Sequence, residues 1–379
     1  MDFNYTPEQQ QFRDALRRFI DKDYSFEQRA KIVRSDKGIS DDAWATLAEL
    51  GMTALPVPEE QGGFNGSAVD MMVVMQELGR GIVIEPYFAT VLGVQFLKLA
   101  GGHEDLLEQV AGGGLKLAAA LGEKQSRHEL FDVATTAQQD GDGFVLNGTK
   151  TVVIHGGQAD KIIVSARTGG GQRDTDGISL FVVDGDAAGI TRKDYRTIDC
   201  QRAADISFTD VRIPTSALLG KAGGGWEVLD AAADYGVALL CAEAVGAMDA
   251  LNAATLEYLK TRQQFGVPIG KFQALQHRMA EMFMQAEQAR SMATLAAVKV
   301  ASTDANERRR NVSAAKARVG QALKYVGQQA VQLHGGMGVT NELPAAHHFK
   351  RLTMIELTLG DTDHHLARFA SLPGFRKAA

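Results

Sequence analysis

Hydrophobic periodicity changes twice along this chain, and those two changes constrain the fold more than any single motif. From Thr6 to about Gly112 apolar residues recur at helical spacing, with Phe12, Leu16, Phe19 and Ile20 as the first set. Thr6-Pro7-Glu8 supplies a helix start, with a hydroxyl at the N-cap and proline in the first turn. Ser40-Asp41-Asp42 opens another helix that carries Trp44, Leu47 and Leu50 and ends at Gly51. Residues 56–63 must be loop, because their prolines and glycines break a helix. Residues 71–78 and 90–99 resume the helical period.

Near Leu115 the period shortens towards two. Short β-branched runs at 133–137, 144–146, 152–154, 162–164 and 178–183 predict strands, and Asp140-Gly141-Asp142-Gly143 predicts a hairpin connection. Strands clustered between helical regions imply a separate β-domain, not a parallel α/β sheet. From Trp226 the helical period returns. Leu275, Met279, Met282, Ala286, Ala289, Ala293, Ala296 and Val300 form a bundle seam whose alanines permit close helix approach. Residues 302–310 predict a charged connector, followed by a helix from Val312 to Leu333. The chain therefore divides into a helical segment at 1–114, a β-segment at 115–224 and a helical bundle at 225–379.

A length of 379 residues allows two or three domains with a substantial core. The formal net charge of −6 gives no electrostatic case for nucleic acid. Two cysteines, Cys200 and Cys241, point to a reducing compartment without a disulfide framework. The start lacks a basic stretch followed by an apolar core, and no uninterrupted apolar run reaches about 18 residues. No signal peptide and no membrane span are expected, which leaves the cytoplasm. His347-His348 and His364-His365 are adjacent pairs, so neither makes a chelating i, i+4 pair and no metal is expected. Nucleotide-binding glycine motifs and nucleophile elbows are missing as well.

Residues 258–273 carry the most specific chemistry. A helix ends on Arg262, Gln263, Gln264 and Phe265, turns through Gly266 to Gly270, and runs into a longer helix. Arginine offers a planar fork of donors suited to phosphate or diphosphate oxygens. A capped helical hairpin would show the same spacing.

Arg262-x-Gln264-Phe265-Gly266-x-Pro268-Ile269-x-x-Phe272-Gln273, followed roughly 60 residues later by Gln332-x-x-Gly335-Gly336-x-Gly338, resembles the acyl-CoA dehydrogenase family. Asn147-Gly148-Thr149-Lys150, Gly156 to Asp160, Ser165-Ala166-Arg167 and Glu77-Leu78-Gly79-Arg80 extend the resemblance over nearly the whole chain. It implies a helical N-terminal domain, a middle β-barrel or sandwich domain and a C-terminal four-helix bundle. More narrowly, Met1-Asp2-Phe3, residues 242–246 and residues 348–354 resemble the small subunit of pimeloyl-CoA dehydrogenase and related paired bacterial enzymes.

By resemblance the cofactor is FAD and the reaction is α,β-dehydrogenation of an acyl-CoA thioester to the 2-enoyl-CoA. A carboxylate takes the α-proton while the β-hydrogen leaves as hydride to the flavin. Arg262 and Gln264 would contact the FAD diphosphate across a subunit interface. Phe272 and Gln273 would line the adenosine end, and Gln332, Gly335 and Gly336 the ADP part. An electron-transfer flavoprotein would be the acceptor. Resemblance points to dicarboxyl-CoA or bulky steroid-side-chain acyl-CoA as substrate.

The chain departs from the family at the base. Where many relatives have Tyr-Glu-Gly-Thr, this sequence has Leu359-Gly360-Asp361-Thr362; the alternative position, 26 residues before Arg262, is Gly236. Three carboxylates lie near these gaps. Asp361 is adjacent to the first. Asp234 is two residues from the second, about 200° round a helix, and Glu243 is seven residues on, about 10 Å along the axis. The Thr-Glu-Pro loop and aromatic-Ile-Ser/Thr strand that hold the flavin ring in relatives are replaced by residues 121–125 and Val152-Val153-Ile154. These facts fit a small subunit of a heteromer, a heterotetramer for instance, that lends the ADP side of an FAD site to a partner chain. A self-sufficient homomeric enzyme with a displaced base and a non-catalytic assembly subunit are the alternatives.

Overall fold

A computed structural model describes residues 5–373; Met1-Asp2-Phe3, part of the narrower resemblance, lies outside them. Six helices come first: α1 (Pro7–Asp23), α2 (Phe26–Arg34), α3 (Asp41–Glu49), α4 (Ala68–Gly81), α5 (Tyr87–Ala100) and α6 (Glu104–Ala111). The start of α1 is a reciprocal cap, in which Thr6 and Gln9 satisfy each other's backbone N–H. Ser40 caps α3 as its sequence implies. Within residues 56–63 only a single 3-10 turn forms, at Glu59–Gln61.

Eight strands follow: β1 (Leu117–Ala120), β2 (Thr136–Asp140), β3 (Gly143–Ile154), β4 (Lys161–Arg167), β5 (Ile178–Asp184), β6 (Ile190–Arg196), β7 (Arg202–Pro214) and β8 (Leu218–Leu219). Their order is β6-β7-β3-β2-β4-β5-β8, with β1 paired in parallel to β4. Most ladders are antiparallel, and Gly141 and Asp142 turn the predicted hairpin between β2 and β3. The sheet closes around Phe144, Leu146, Ile162, Val164, Phe181, Ile206 and Val211. The strand predicted at 133–137 starts only at Thr136, because the N–H groups of Ala134 and Thr135 bind the Glu123 carboxylate instead of a ladder. Charged residues hid β6 and most of β7 from a reading based on apolar runs.

The last part comprises α7 (Trp226–Thr261), β9 (Gln263–Gln264), β10 (Val267–Pro268), α8 (Gln273–Lys299), α9 (Ala305–His334), α10 (Pro344–Leu357) and α11 (Thr362–Ser371). The helix expected from Val312 begins earlier, at Ala305, since the Asp304 carboxylate caps the N–H groups of Asn306 and Glu307. Arg308, Arg309 and Arg310 therefore lie on α9, which agrees with a charge run read as a solvated helix edge and corrects the connector drawn to 310. The α8 seam is buried from Met282 to Val300, whereas Leu275 and Met279 are only half-buried. By length and composition α7 is apolar enough to cross a membrane, a possibility the run-length reading did not raise, yet most of its apolar stretch is buried in the protein.

Two units emerge. One gathers residues 1–30, 68–83 and 237–379; the other holds 31–67 and 84–236. In the first, Gln9 donates to Asp70 and Arg17 to Glu77, which ties α1 to α4. Gly246 of α7 touches Gln76 of α4 so closely that a β-carbon would sit 1.8 Å from its carbonyl oxygen. In the second, the β-sheet and α5 share the core, with Gly93 against Leu117.

Candidate functional site

The stretch after α7 folds as a miniature hairpin. β9 and β10 pair antiparallel around Phe265 and Gly266, whose φ angles of 55° and 78° make the turn left-handed at both positions. The Ile269 N–H closes it on the Arg262 carbonyl at 2.9 Å. A bulky aromatic pays a steric cost at positive φ, and Phe265 recovers nothing by burial: it is 91% exposed. Its ring stands edge-on to Phe272, 6.1 Å away. Arg262, Gln264 and Gln273 are exposed, and among the described residues the Arg262 guanidinium has no acceptor. No side chain caps α8; the N–H groups of Leu275 and Gln276 bond the Phe272 carbonyl, which leaves those of Gln273 and Ala274 at the helix start without a hydrogen bond among the described residues.

The second motif ends α9. Gly335 terminates the helix at φ 59°, and Gln332, Gly335 and Gly336 are all exposed. A β-carbon at Gly336 would meet nothing within 4 Å, so no contact inside the chain requires glycine there. The two motifs meet. Tyr258 on the last turns of α7 lies against His334 at the end of α9, ring centroids 4.5 Å apart, and Arg278 of α8 donates to Gln329 of α9 at 3.1 Å.

The loop between α10 and α11 is built the opposite way. Lys316, fully buried on α9, donates to the carbonyls of Glu356, Thr358 and Gly360 at 3.1, 2.8 and 2.7 Å. Burial brings its ammonium down to about 8 and pushes the neighbouring Cys241 thiol up to about 12. His365 Nε2 bonds the Leu359 carbonyl at 2.9 Å, and its Nδ1 faces Ser313 Oγ at 3.3 Å. Burial, helped by the Lys316 charge, holds that imidazole well below its usual range. Gly360 adopts φ 104°, and a β-carbon on it would lie 2.6 Å from the His364 ring and 2.7 Å from His365 Nε2. No side chain fits there without displacing the histidines.

Each nearby carboxylate has its own structural place. Asp361 is the N-cap of α11, accepting the His364 N–H at 2.8 Å. Glu243 forms a two-pronged pair with Arg351 at 2.6 and 2.7 Å, both side chains buried. Asp234 is buried on α7, as is Gly236. The Glu243–Arg351 pair joins residues 242–246 to 348–354, the two described stretches of the narrower resemblance.

In the β-containing unit, residues 121–135 are held by a buried cation. Lys150 Nζ reaches Glu123 at 2.6 Å, Ser165 Oγ at 2.9 Å and the Leu121 carbonyl at 3.3 Å. Burial lowers the lysine to about 8; it opposes ionisation of Glu123 too, but the Lys150 charge and the N–H of Ala134 bring that carboxyl to about 2. Arg167 donates to the carbonyls of Phe131, Gln172, Asp174 and Asp176. Lys150, Ser165 and Arg167, noticed as family marks, thus order this loop. Val152 sits 52% exposed at φ 53°, beside a register shift between β3 and β7.

Three family models match successive parts of the chain: acyl-CoA dehydrogenase N-terminal domain at residues 6–105, middle domain at 118–211 and C-terminal domain at 223–371. A probable acyl-CoA dehydrogenase of Bacillus subtilis, YngJ, is 30% identical over 96% of this chain and 97% of its own. The chain belongs to the acyl-CoA dehydrogenase family. Its fold superposes on butyryl-CoA dehydrogenase from Megasphaera elsdenii with a TM-score of 0.88, at 28% identity over 98% and 99% of the two chains. The Tcur3481-Tcur3483 steroid ACAD, in a variant form, gives 0.86 at 28% identity over 96% of each.

In this acyl-CoA dehydrogenase chain the sequence left Lys316 and Ser313 unmarked, and it marked His365 only as half of an adjacent pair and Arg351 only as part of the 348–354 stretch, without the contacts they make. One signal was available: Lys316 interrupts the apolar stripe Val312, Val319, Leu323 and Val326 on α9, where a cation must find buried acceptors. Arg351 and His365 carried no such mark.

Proposed function

We propose that this chain is the small subunit of a heteromeric acyl-CoA dehydrogenase, lending the ADP side of an FAD site to a paired chain that supplies the flavin-ring pocket and the base. Acyl-CoA dehydrogenases are oxidoreductases with FAD as cofactor. The exposed residues fit that group: a guanidinium at Arg262 without an acceptor among the described residues, the N–H groups of Gln273 and Ala274 at the start of α8, and open backbone at Gly335 and Gly336. Arg262 and Gln264 would hold the diphosphate, Phe272 and Gln273 the adenosine end, and Gln332 with the glycines the ADP part. When bound, FAD supplies the acceptor for the β-hydride.

One observation carries the proposal: the loop at 358–361 has no room for a base. Removing an α-proton needs a carboxylate free to take it, but position 360 is closed and Asp361 and Glu243 are committed to a helix cap and to Arg351. The Glu243–Arg351 link supports kinship with paired enzymes such as pimeloyl-CoA dehydrogenase. A bulky or dicarboxylic acyl-CoA is the substrate class proposed, an electron-transfer flavoprotein the acceptor, and the cytoplasm the location. Domain limits near 114 and 224 belong to the same reading.

The test is to purify the chain alone and co-expressed with a second acyl-CoA dehydrogenase chain that carries the flavin-ring pocket and the base, then record flavin absorbance and its bleaching by acyl-CoA. Flavin and bleaching are expected only for the pair. Bleaching by the chain alone sinks the proposal in favour of a homomeric enzyme, and a bleaching pair that leaves this chain without any part in flavin retention makes it an assembly subunit.

A further inference from the structure

We propose that His347 is a positioning residue for the cofactor: its neutral ring braces the loop that follows Gly335-Gly336 between Arg29 and the Asn341 backbone. This rests on the reading that Gly335 and Gly336 face the ADP part of FAD. Arg29 is almost completely buried and can only donate. Its Nη1 reaches His347 Nδ1 at 3.2 Å, so Nδ1 must be the acceptor. The ring hydrogen then lies on Nε2, which donates to the Asn341 carbonyl at 3.1 Å. Arg29 is itself fixed through Nε to the Ile82 carbonyl at 2.7 Å, and Phe26 packs edge-on against the imidazole with centroids 5.0 Å apart. Ring and guanidinium therefore form a rigid strut from α2 to the loop.

The loop has few other ties. Gly338 rests on α9, close to the Val331 carbonyl, and Thr340 bonds back to Met337. Beyond it, Lys350 donates to the Asn341 side chain at 2.7 Å. Gly335 and Gly336 meet nothing within reach of a β-carbon; the Gly335 N–H bond to the Gln332 carbonyl and the 3-10 turn Gly335–Val339 hold them at one end, and these anchors hold the turn at the other. A proton on His347 Nδ1 would face Arg29 and abolish the acceptor. Burial, with the charges of Arg29 and Lys350, keeps the ring below its ordinary range; His348 beside it is held lower still, to about 3, by burial. The neutral strut is accordingly complete at neutral pH and fails as pH falls below the ordinary histidine range.

The experiment strips FAD from the assembly as purified and titrates it back, for the parent protein, His347→Gln, His347→Leu and Arg262→Ala, with hydrogen exchange of amides 337–343 measured before FAD is added. His347→Leu is expected to weaken FAD roughly tenfold and to speed exchange of these amides, as the loss of a brace worth one or two hydrogen bonds implies. Glutamine can accept from Arg29 and donate to Asn341, so His347→Gln should stay within roughly threefold of the parent. The parent's FAD affinity should also fall at a pH below about 6.5, and that of His347→Gln should not. Parental affinity in His347→Leu, unchanged exchange, or an identical pH profile in His347→Gln overturns the proposal. If Arg262→Ala leaves FAD binding unaltered, the cofactor reading fails as well; if it alone weakens binding, only the strut is wrong.

Discussion

The hairpin after α7 and the loop before α11 belong to the same unit and are satisfied in opposite directions. At 356–361 the carbonyls are taken up from within: Lys316 takes those of Glu356, Thr358 and Gly360, His365 that of Leu359, and Asp361 closes the helix start. At 262–273 an aromatic in left-handed backbone projects into solvent beside an unpaired guanidinium. A protein keeps such an unsatisfied, costly turn when something outside the chain completes it. The contrast separates a turn whose polar groups face solvent from a loop whose carbonyls are taken up inside the chain.

The largest effect expected is from Lys316→Met, which leaves three buried carbonyls without a donor and should cost about 3 kcal/mol or more in denaturant unfolding. A small loss would mean that the loop is not held from inside. Gly360→Glu should cost about 2–3 kcal/mol through positive φ and collision with His364 and His365, and should give no bleaching in the chain alone. Recovered bleaching would show that the position is open and overturn the comparison. Acid should act on another internally saturated loop, 121–135. Glu123 has its folded pKa depressed to about 2, so its contribution is complete above the ordinary carboxylate range and is lost as pH falls from about 4.5 towards 2. Circular dichroism against pH reads this.

At the open surface the expectations reverse. Arg262→Ala should leave stability within about 0.5 kcal/mol, while FAD retention by the assembly drops roughly ten- to a hundredfold. Equal retention would remove the cofactor role. Phe265→Gly should act on folding with the opposite sign to the buried variants: relief of the left-handed turn should stabilise the isolated chain by up to about 1 kcal/mol. A destabilised isolated chain would show that Phe265 already has its partner within it.

Sequence disclosed the helical and β-segments because burial imposes periods of 3.6 and 2 on their apolar residues. It disclosed the Arg262 and Gln332 motifs because they are local, and it noted the glycines at 236 and 360. What closes position 360 was not legible. Lys316, Ser313 and His365 come from separate helices, and only folding brings them to one loop. The same holds for Glu243, whose partner Arg351 is over a hundred residues away. Strand limits failed where a side chain took the backbone's hydrogen bonds, as Glu123 does at Ala134 and Thr135.

Gly360 also has a consequence for substitution. Its backbone favours glycine and its neighbours occupy the volume of any β-carbon. A side chain introduced there would enter a backbone and a pair of rings already shaped against it, and His364 and His365 would have to move first. Change at position 360 is therefore tied to change at two histidines that contact it from the next helix.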